Sequence, residues 1–265
     1  MQIPQSQTLT TRCLSRIFDT TSATYKFFWF LSILQIHART ENLHINVWDI
    51  VIRMVANAWY PIHYFRLSFG KNDSLFDIVT ELQKETQIPI DASCEEVIGQ
   101  LQKRLRDKLV KSRLGKLTTY VPYCFLYPWI NATNNSREVI WRSQSLENGC
   151  LYSIYKEKTD FYIELNPVWD EYLHTHYKIL MDFTYWNLMQ FLQARNPNVP
   201  AISSKLIRPE SRSSLVNQHR YWNKVIQIGG PVRCIYTGLE LSFFRLWSWI
   251  ILFPGVLFLM ICFGI

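Results

Sequence analysis

The last twenty residues of the chain, 246–265, contain no charged side chain. About twenty apolar residues are what a helix needs to cross the hydrocarbon core of a bilayer, and Arg245 just ahead of the stretch fits the cytoplasmic end of such an anchor. Pro254 and Gly255 at its centre would kink or weaken a spanning helix. The tail is therefore either a C-terminal membrane anchor or a segment that does not match the fold before it.

A polar motif stands shortly before the tail. Residues 233–241 have the pattern R-C-x-Y-x-G-x-x-L, in which the defined positions include Arg233, Cys234, Tyr236 and Gly238. The pattern resembles the opening of the nuclease domain in bacterial HNH endonucleases. In that family the next element is polar and contains the pair Asp-His, whereas here the apolar tail follows.

A shift of reading frame accounts for this mismatch. When each codon's third base is read with the first two bases of the next codon, the junctions after Trp249 and Met260 both force Asp, because an isoleucine codon follows each. From Ser248 onwards the shifted frame can encode Leu-Asp-His-Phe-Ile-Pro-Trp and then Ser-Phe-Val-Ser-His-Asp-Leu-Phe-Trp-Asn. These strings resemble the D-H-x-x-P-W and H-D-x-x-W-N core of an HNH nuclease. We therefore interpret the tail as an HNH core translated out of frame after a slip between Gly238 and Ser248.

The resemblance implies a ββα-metal module that cuts DNA by metal-assisted hydrolysis of a phosphodiester. In the family the His of Asp-His acts as general base on water, and the Asp holds one divalent metal ion together with a later His or Asn. This chain has no Asp, His or Asn after Glu240. We therefore expect that no catalytic residue and no metal ligand is retained, and that neither a divalent metal nor a small-molecule cofactor is bound.

Cys234 also invites a zinc interpretation, because it matches a position that is often the first cysteine of a structural zinc knuckle in the family. The residue three positions further on is Thr237, however, and the six cysteines of the chain form no C-x-x-C pair. This pattern indicates neither a complete zinc site nor a disulfide framework. We expect Cys234 to be a half-buried cysteine in the first strand of the module, at 232–236.

The charge of the chain is compatible with a DNA partner. A formal net charge of +7 fits a polyanion, although a small positive excess is also common without one. The most basic stretch, 103–116, carries seven positive charges and one negative charge and can follow a phosphate backbone; a solvated helix face with its Leu and Val side packed inward is the alternative. A basic helix predicted at 213–226 resembles the one that leads into the nuclease module. The candidate DNA contacts are Lys103, Arg104 and Lys111 in the basic stretch and Arg212, Arg220 and Lys224 at the second helix.

The first two thirds of the chain have mainly helical patterns. Thr and Ser at 20–22 offer an N-cap for the apolar run 25–34, which is too short for a membrane span and predicts a buried core helix. Residues 49–60 have apolar side chains at i, i+3 and i+4 and predict an amphipathic helix that ends before Pro61. A further helix is predicted to begin at Ser93 and to run into the basic stretch.

The pattern changes to β within residues 151–165. Two β-rich runs, 151–156 and 161–165, are joined by a polar loop and predict a hairpin. Asn166 and the proline after it then predict the N-cap and first turn of a helix that continues to about Arg195.

Two histidines lie on that helix. His174 and His176 are two positions apart and point in opposite directions, so we do not expect them to share a metal ion. Beyond the helix, prolines at 197 and 200 place the predicted domain boundary at 196–204.

These observations predict a mainly α (α+β) protein. It has a helical region at 1–200 with one hairpin near 151–165, the start of an incomplete HNH module at 205–245, and a hydrophobic tail at 246–265. By resemblance, the function is that of an HNH-type DNA endonuclease that has lost its catalytic core. The alternatives are a tail-anchored membrane protein without catalysis and a DNA-binding regulator that uses the basic face alone. We expect a cytoplasmic protein. Any association with membranes would be through the tail at 246–265.

Overall fold

The structure is a computed structural model, which describes residues 2–40, 42–71, 73–130, 135–145, 149–157, 161–208, 224 and 227–230. The chain divides into two compact units, residues 1–208 and 209–265. The described part of the first unit is mainly helical and contains one small antiparallel sheet. Most of the predicted nuclease module and the whole tail lie outside the described residues.

Most elements of the described residues are helices, and three short strands lie among them. The helices are α1 (Thr11–Ser15), α2 (Tyr25–Thr40), α3 (Val47–His63), α4 (Ser74–Thr86), α5 (Cys94–Lys103), α6 (Lys108–Leu117), α7 (Val121–Cys124), α8 (Tyr127–Ile130), α9 (Ser136–Ser143), α10 (Pro167–Thr175), α11 (Tyr177–Arg195) and α12 (Ser203–Leu206). The strands are β1 (His44–Asn46), β2 (Tyr152–Lys156) and β3 (Phe161–Leu165). The predicted fold class, mainly α with a β component, is confirmed for this part of the chain.

Helix α2 lies at the centre of the core. Eight successive residues, 27–34, are buried, and the helix packs against α3 and α11. Burial of one large apolar side chain contributes about 1.5–3 kcal/mol, so α2 is a main source of the stability of the first unit. The predicted buried helix is confirmed, although it begins at Tyr25, beyond the predicted cap at 20–22.

Helix α3 is the amphipathic helix that the sequence predicts, but its predicted end is wrong. The side chain of Asn46 caps its start by accepting a hydrogen bond from the amide of Trp48 at 2.9 Å. The helix then passes through Pro61 and ends at His63. A proline in a helix lacks the N–H for one hydrogen bond. Pro61 and Ile62 are buried in the last turn, so packing against the core offsets the lost bond.

The predicted hairpin is confirmed and is part of a larger sheet. Strands β2 and β3 pair antiparallel, with Tyr152 opposite Leu165. Strand β1 pairs with the other edge of β3, with Ile45 opposite Ile163, so the strand order is β1-β3-β2. Strand β1 is not predicted from the sequence, because its three residues are too few to show an alternating pattern.

The helix predicted to run from Ser93 into the basic stretch consists of two helices. The start is well defined, because Ser93 and Glu96 form a capping box at the beginning of α5. Helix α5 ends at Lys103, and α6 begins after Asp107, whose carboxylate accepts a hydrogen bond from the amide of Leu109 at 2.9 Å. An aspartate in a cap position starts a new helix instead of extending the old one.

The helix predicted to follow the hairpin is also divided. The side chain of Asn166 caps α10 as predicted, by accepting from the amide of Val168 at 3.1 Å. The helix breaks at His176, which has φ −105° and ψ 15°. Helix α11 then ends at Arg195, as the sequence predicts.

The segment predicted as a domain boundary lies within the first unit. Asn196 is buried. Its side chain accepts from the amide of Ser68 and donates to the carbonyl of the same residue, both at 2.8 Å. Further along, Ile202 and Leu206 are buried in the core. Within the described residues, none of the helices is both long enough and apolar enough for a membrane span.

Candidate nucleic-acid interface

Four of the predicted site residues lie in the described part of the chain: Lys103, Arg104, Lys111 and Lys224. Lys224 has helical backbone geometry and is exposed. The others lie outside the described residues, namely Arg212, Arg220, Arg233, Cys234, Tyr236 and Gly238. In the described part of the chain, the candidate interface is therefore centred on the basic stretch 103–116.

Lys103 and Arg104 are neighbours in sequence but have different surroundings. Lys103 is exposed in the last turn of α5, where a positive charge also interacts favourably with the helix dipole. Arg104 is partly buried, and its guanidinium donates to the carbonyl of Thr86, at the end of α4, at 2.6 Å. One donor of Arg104 is thus used to hold two helices together, which leaves fewer for a phosphate.

Helix α6 has one apolar face and one basic face. Val110, Leu114 and Leu117 are buried, and the helix packs against α3 and α4. The remaining face is exposed at Lys108, Lys111 and Lys116, which we name the α6 strip. The apolar face fixes the position of the helix, so the strip presents its charges from a rigid support.

The three lysines of the α6 strip are suitably spaced for an extended polyanion. At 1.5 Å of rise per residue, Lys108 and Lys116 are about 12 Å apart along the helix axis, and at 3.6 residues per turn all three lie within an arc of about 140°. Exposed lysines contact phosphates as mobile point charges and carry no base-specific geometry. The strip is therefore suited to backbone contacts and not to sequence readout.

Arg113 and Lys111 both have partners within the fold. Arg113 forms ion pairs with Glu81 at 2.8 Å and Glu85 at 3.2 Å, both on α4. Lys111 has its ammonium 5.4 Å from the centre of the Trp48 ring. By contrast, no described acidic side chain pairs with Lys103, Arg106, Lys108 or Lys116.

Lys108 and Lys116 belong to the predicted basic stretch but are not among its individual candidate contacts. The period of Val110, Leu114 and Leu117 was the signal that could have found them, because it fixes which side of the helix faces solvent. The same period places Arg113 beside the apolar face, about 40° from Leu117, but it does not name the partner of Arg113. Its role depends on α4, which lies nearly thirty residues earlier in the chain.

The described residues contain no group of three His, Cys, Asp or Glu side chains placed to hold a metal ion. His174 is exposed on α10, and His176 packs its ring against Tyr172, with ring centres 4.7 Å apart. The positions of the HNH motif lie outside the described part of the chain, so this observation does not bear on them.

Comparisons with protein-family models, with curated proteins and with solved structures found no match to this chain.

Proposed function

We propose that this chain is a DNA-binding protein of the HNH endonuclease type, which contacts the phosphate backbone through the α6 strip and lacks the residues for hydrolysis. The observation that carries the proposal is the surface of α6, where three lysines stand on one face of a helix whose other face is anchored in the core. The motif at 233–241 supports the type of protein. The absence of Asp, His and Asn after Glu240 supports the lack of catalysis, because the general base and the metal ligands of the family are of these types.

Lys103 and Arg106 extend the proposed contact region ahead of α6. Both are exposed. Neighbouring acidic residues define its border: Glu81 and Glu85 are engaged by Arg113, and the carboxylate of Asp49 accepts from Gln102 at 3.4 Å. The region is therefore a basic surface with acidic side chains on neighbouring elements.

The salt dependence of DNA binding tests the proposal. Each phosphate that is neutralised contributes about 0.9 to the slope of log affinity against log salt on duplex DNA. The triple variant K108Q/K111Q/K116Q should therefore reduce the slope by up to about 2.7, and wild-type affinity should be the same for duplexes of unrelated sequence. Fluorescence anisotropy with a labelled duplex at several salt concentrations measures both.

The matched control is K71Q/R137Q/K178Q, which changes three exposed positive charges outside the basic stretch. Both triple variants lower the formal net charge from +7 to +4, so a general effect of charge would change their slopes equally. Equal slopes for the two variants, or no change in either, would contradict a role for the α6 strip.

The same preparations test the absence of hydrolysis. Supercoiled plasmid incubated with magnesium, manganese, nickel or zinc should not be nicked above a buffer control, because general-base and metal contributions each account for orders of magnitude in rate. Metal-dependent nicking that disappears on mutation of a residue of this chain would show that a complete site exists elsewhere in it.

A further inference from the structure

Three positively charged side chains from the beginning of the chain line one cavity. They are Arg12 on α1, Arg16 directly after it, and Lys26 on α2. Tyr127 and Pro128 of α8 line the same cavity. The cavity has a volume of about 400 Å³, which falls within the range of roughly 300–1,000 Å³ for small-molecule sites. None of the α6 strip residues lines it, so it is separate from the proposed DNA contact.

The charges around this cavity are unbalanced. Asp19 is the one acidic residue among its described lining residues, and its carboxylate pairs with Arg16 at 3.3 Å. Three positive charges therefore face one negative charge. Guanidinium groups offer a planar fork of donors that matches the oxygens of a phosphate. The lining thus favours an anion over a neutral ligand.

Lys26 points to the same conclusion through its surroundings. Its ammonium donates to the carbonyl of Ile17 at 3.3 Å, which accounts for one of its three N–H donors. It forms no ion pair with a described carboxylate, and partial burial lowers the pKa of its ammonium. Asp19 attracts this ammonium electrostatically, but two of its three N–H donors have no described hydrogen-bond partner, and an anion in the cavity could accept from them.

The apolar lining residues indicate a second chemical property of the ligand. Tyr127 and Pro128 are both partly exposed and add an aromatic ring and an apolar side chain to the lining. A ligand that bears a phosphate at one end and a planar ring at the other would match both the cations and the apolar lining residues. Nucleoside phosphates have this combination.

We propose that this cavity is a binding site for a phosphate-bearing small molecule of the nucleotide type. Arg12, Arg16 and Lys26 bind the phosphate, and the ring of the ligand lies against Tyr127 and Pro128. This site is independent of the proposed DNA contact, because it shares no residue with it.

Isothermal titration calorimetry on the full chain tests the site with four probes: ADP, inorganic pyrophosphate, inorganic phosphate and adenosine. ADP and pyrophosphate should bind, and adenosine, which has no phosphate, should bind at least tenfold more weakly than ADP. The variant K26M keeps the aliphatic stem and removes the donors, so it should weaken ADP binding about 10- to 100-fold, as expected for the loss of a charge-assisted hydrogen bond. R12Q, which changes an exposed side chain and should not affect folding, should weaken it in the same direction. The control K178M changes an exposed lysine on α11 and should leave the affinity unchanged.

A cysteine in the lining provides a second readout that does not depend on the variants. Cys13 lines the cavity and is partly exposed, so bound ADP should slow its alkylation by iodoacetamide. Cys94 on α5 does not line the cavity and serves as the reference in the same digest, with both peptides quantified by mass spectrometry.

Several results would overturn the proposal. One is the absence of binding by ADP and pyrophosphate at millimolar concentration. Another is binding that K26M and R12Q leave unchanged and that does not protect Cys13, because the ligand would then occupy another site. Protection of Cys13 by a 5′-phosphorylated oligonucleotide but not by ADP would also overturn it and would assign the cavity to a nucleic-acid end.

Discussion

The hydroxyl of Tyr152 connects three parts of the core, and its removal gives a quantitative test of the fold. Tyr152 on β2 is fully buried. Its hydroxyl donates to the carbonyl of Pro122 at 2.7 Å and accepts from the indole N–H of Trp29 at 3.0 Å. The sheet is thereby joined to the central helix α2 and to the first turn of α7.

The variant Y152F removes both hydrogen bonds and leaves both partners buried. Trp29 has no exposed surface, so its indole N–H cannot donate to water instead. The carbonyl of Pro122 loses the hydroxyl that donates to it. A buried polar group left without a partner costs about 1–3 kcal/mol. Two such groups make Y152F about 2–6 kcal/mol less stable, and a loss of about 3 kcal/mol lowers Tm by roughly 6–12 °C in a unit of this size.

Urea unfolding followed by circular dichroism, together with a thermal scan, measures the loss in the full chain. The matched control is Y172F, which removes one hydrogen bond, from the Tyr172 hydroxyl to the carbonyl of Pro4 at 2.6 Å. Because this bond lies near the start of the chain, its loss should cost about 0.5–1.5 kcal/mol. A loss for Y152F below about 1 kcal/mol, or one equal to that of Y172F, would refute the reasoning that the two partners of Tyr152 stay buried and unpaired.

Two further substitutions test the backbone and the pH dependence of stability. Gly70 has φ +104°, and a Cβ there would lie 2.8 Å from Nε of Arg195, so G70A should destabilise the protein by about 1–3 kcal/mol. A Cβ at Gly99, which is in helix α5, would meet no atom within 4 Å, so G99A should stabilise it by about 0.5–1 kcal/mol. The urea midpoint should therefore fall for G70A and rise for G99A. Burial lowers the pKa of His63 below its ordinary 6.5, so the unfolded chain binds more protons near that pH and stability falls as the solution becomes more acidic. H63Q should therefore show a smaller decrease in Tm between about pH 7.5 and 5.5 than the wild type, and parallel decreases would contradict the lowered pKa of the half-buried His63.

The elements that the sequence predicted correctly are those in which local pattern and burial agree. The apolar run of α2 has no polar side that could face water, so its composition alone predicts burial. The hairpin has alternating residues and a polar loop. In both cases the information lies within about fifteen neighbouring residues, which a sequence pattern can show.

The elements that were missed depend on contacts between distant segments. Strand β1 exists because residues 44–46 pair with β3, more than a hundred positions further along the chain. The break between α5 and α6 has a local signal in Asp107, but the guanidinium of Arg104 is held by the carbonyl of Thr86 at the end of another helix. The end of α3 beyond Pro61 likewise depends on what the last turn packs against. Local propensity is a weak guide wherever tertiary contacts decide the backbone.

The candidate sites show the same division. The composition of 103–116 predicted a basic surface, but not that Arg104 and Arg113 would be engaged within the fold while Lys108 and Lys116 face solvent. The cavity lined by Arg12, Arg16 and Lys26 could not be predicted from the sequence, because Lys26 and Tyr127 are about a hundred positions apart and neither stands in a recognisable motif. Convergence of this kind becomes visible only when the chain is folded.

The two positively charged regions differ in how their charges meet solvent, and this difference has a functional consequence. The lysines of the α6 strip are exposed, so their contacts with a polyanion exchange directly with salt ions, and affinity falls steeply with ionic strength. In the cavity, Arg12 and Arg16 are exposed but Lys26 is partly buried, and ions would screen a short contact between Lys26 and the proposed ligand less effectively than they screen charges on an open surface. Higher salt should therefore weaken backbone binding at the strip while the cavity retains more of its affinity. A protein with both regions would bind nucleic acid loosely and reversibly and a phosphorylated small molecule more persistently, and each would be recognised by the same kind of charge in a different environment.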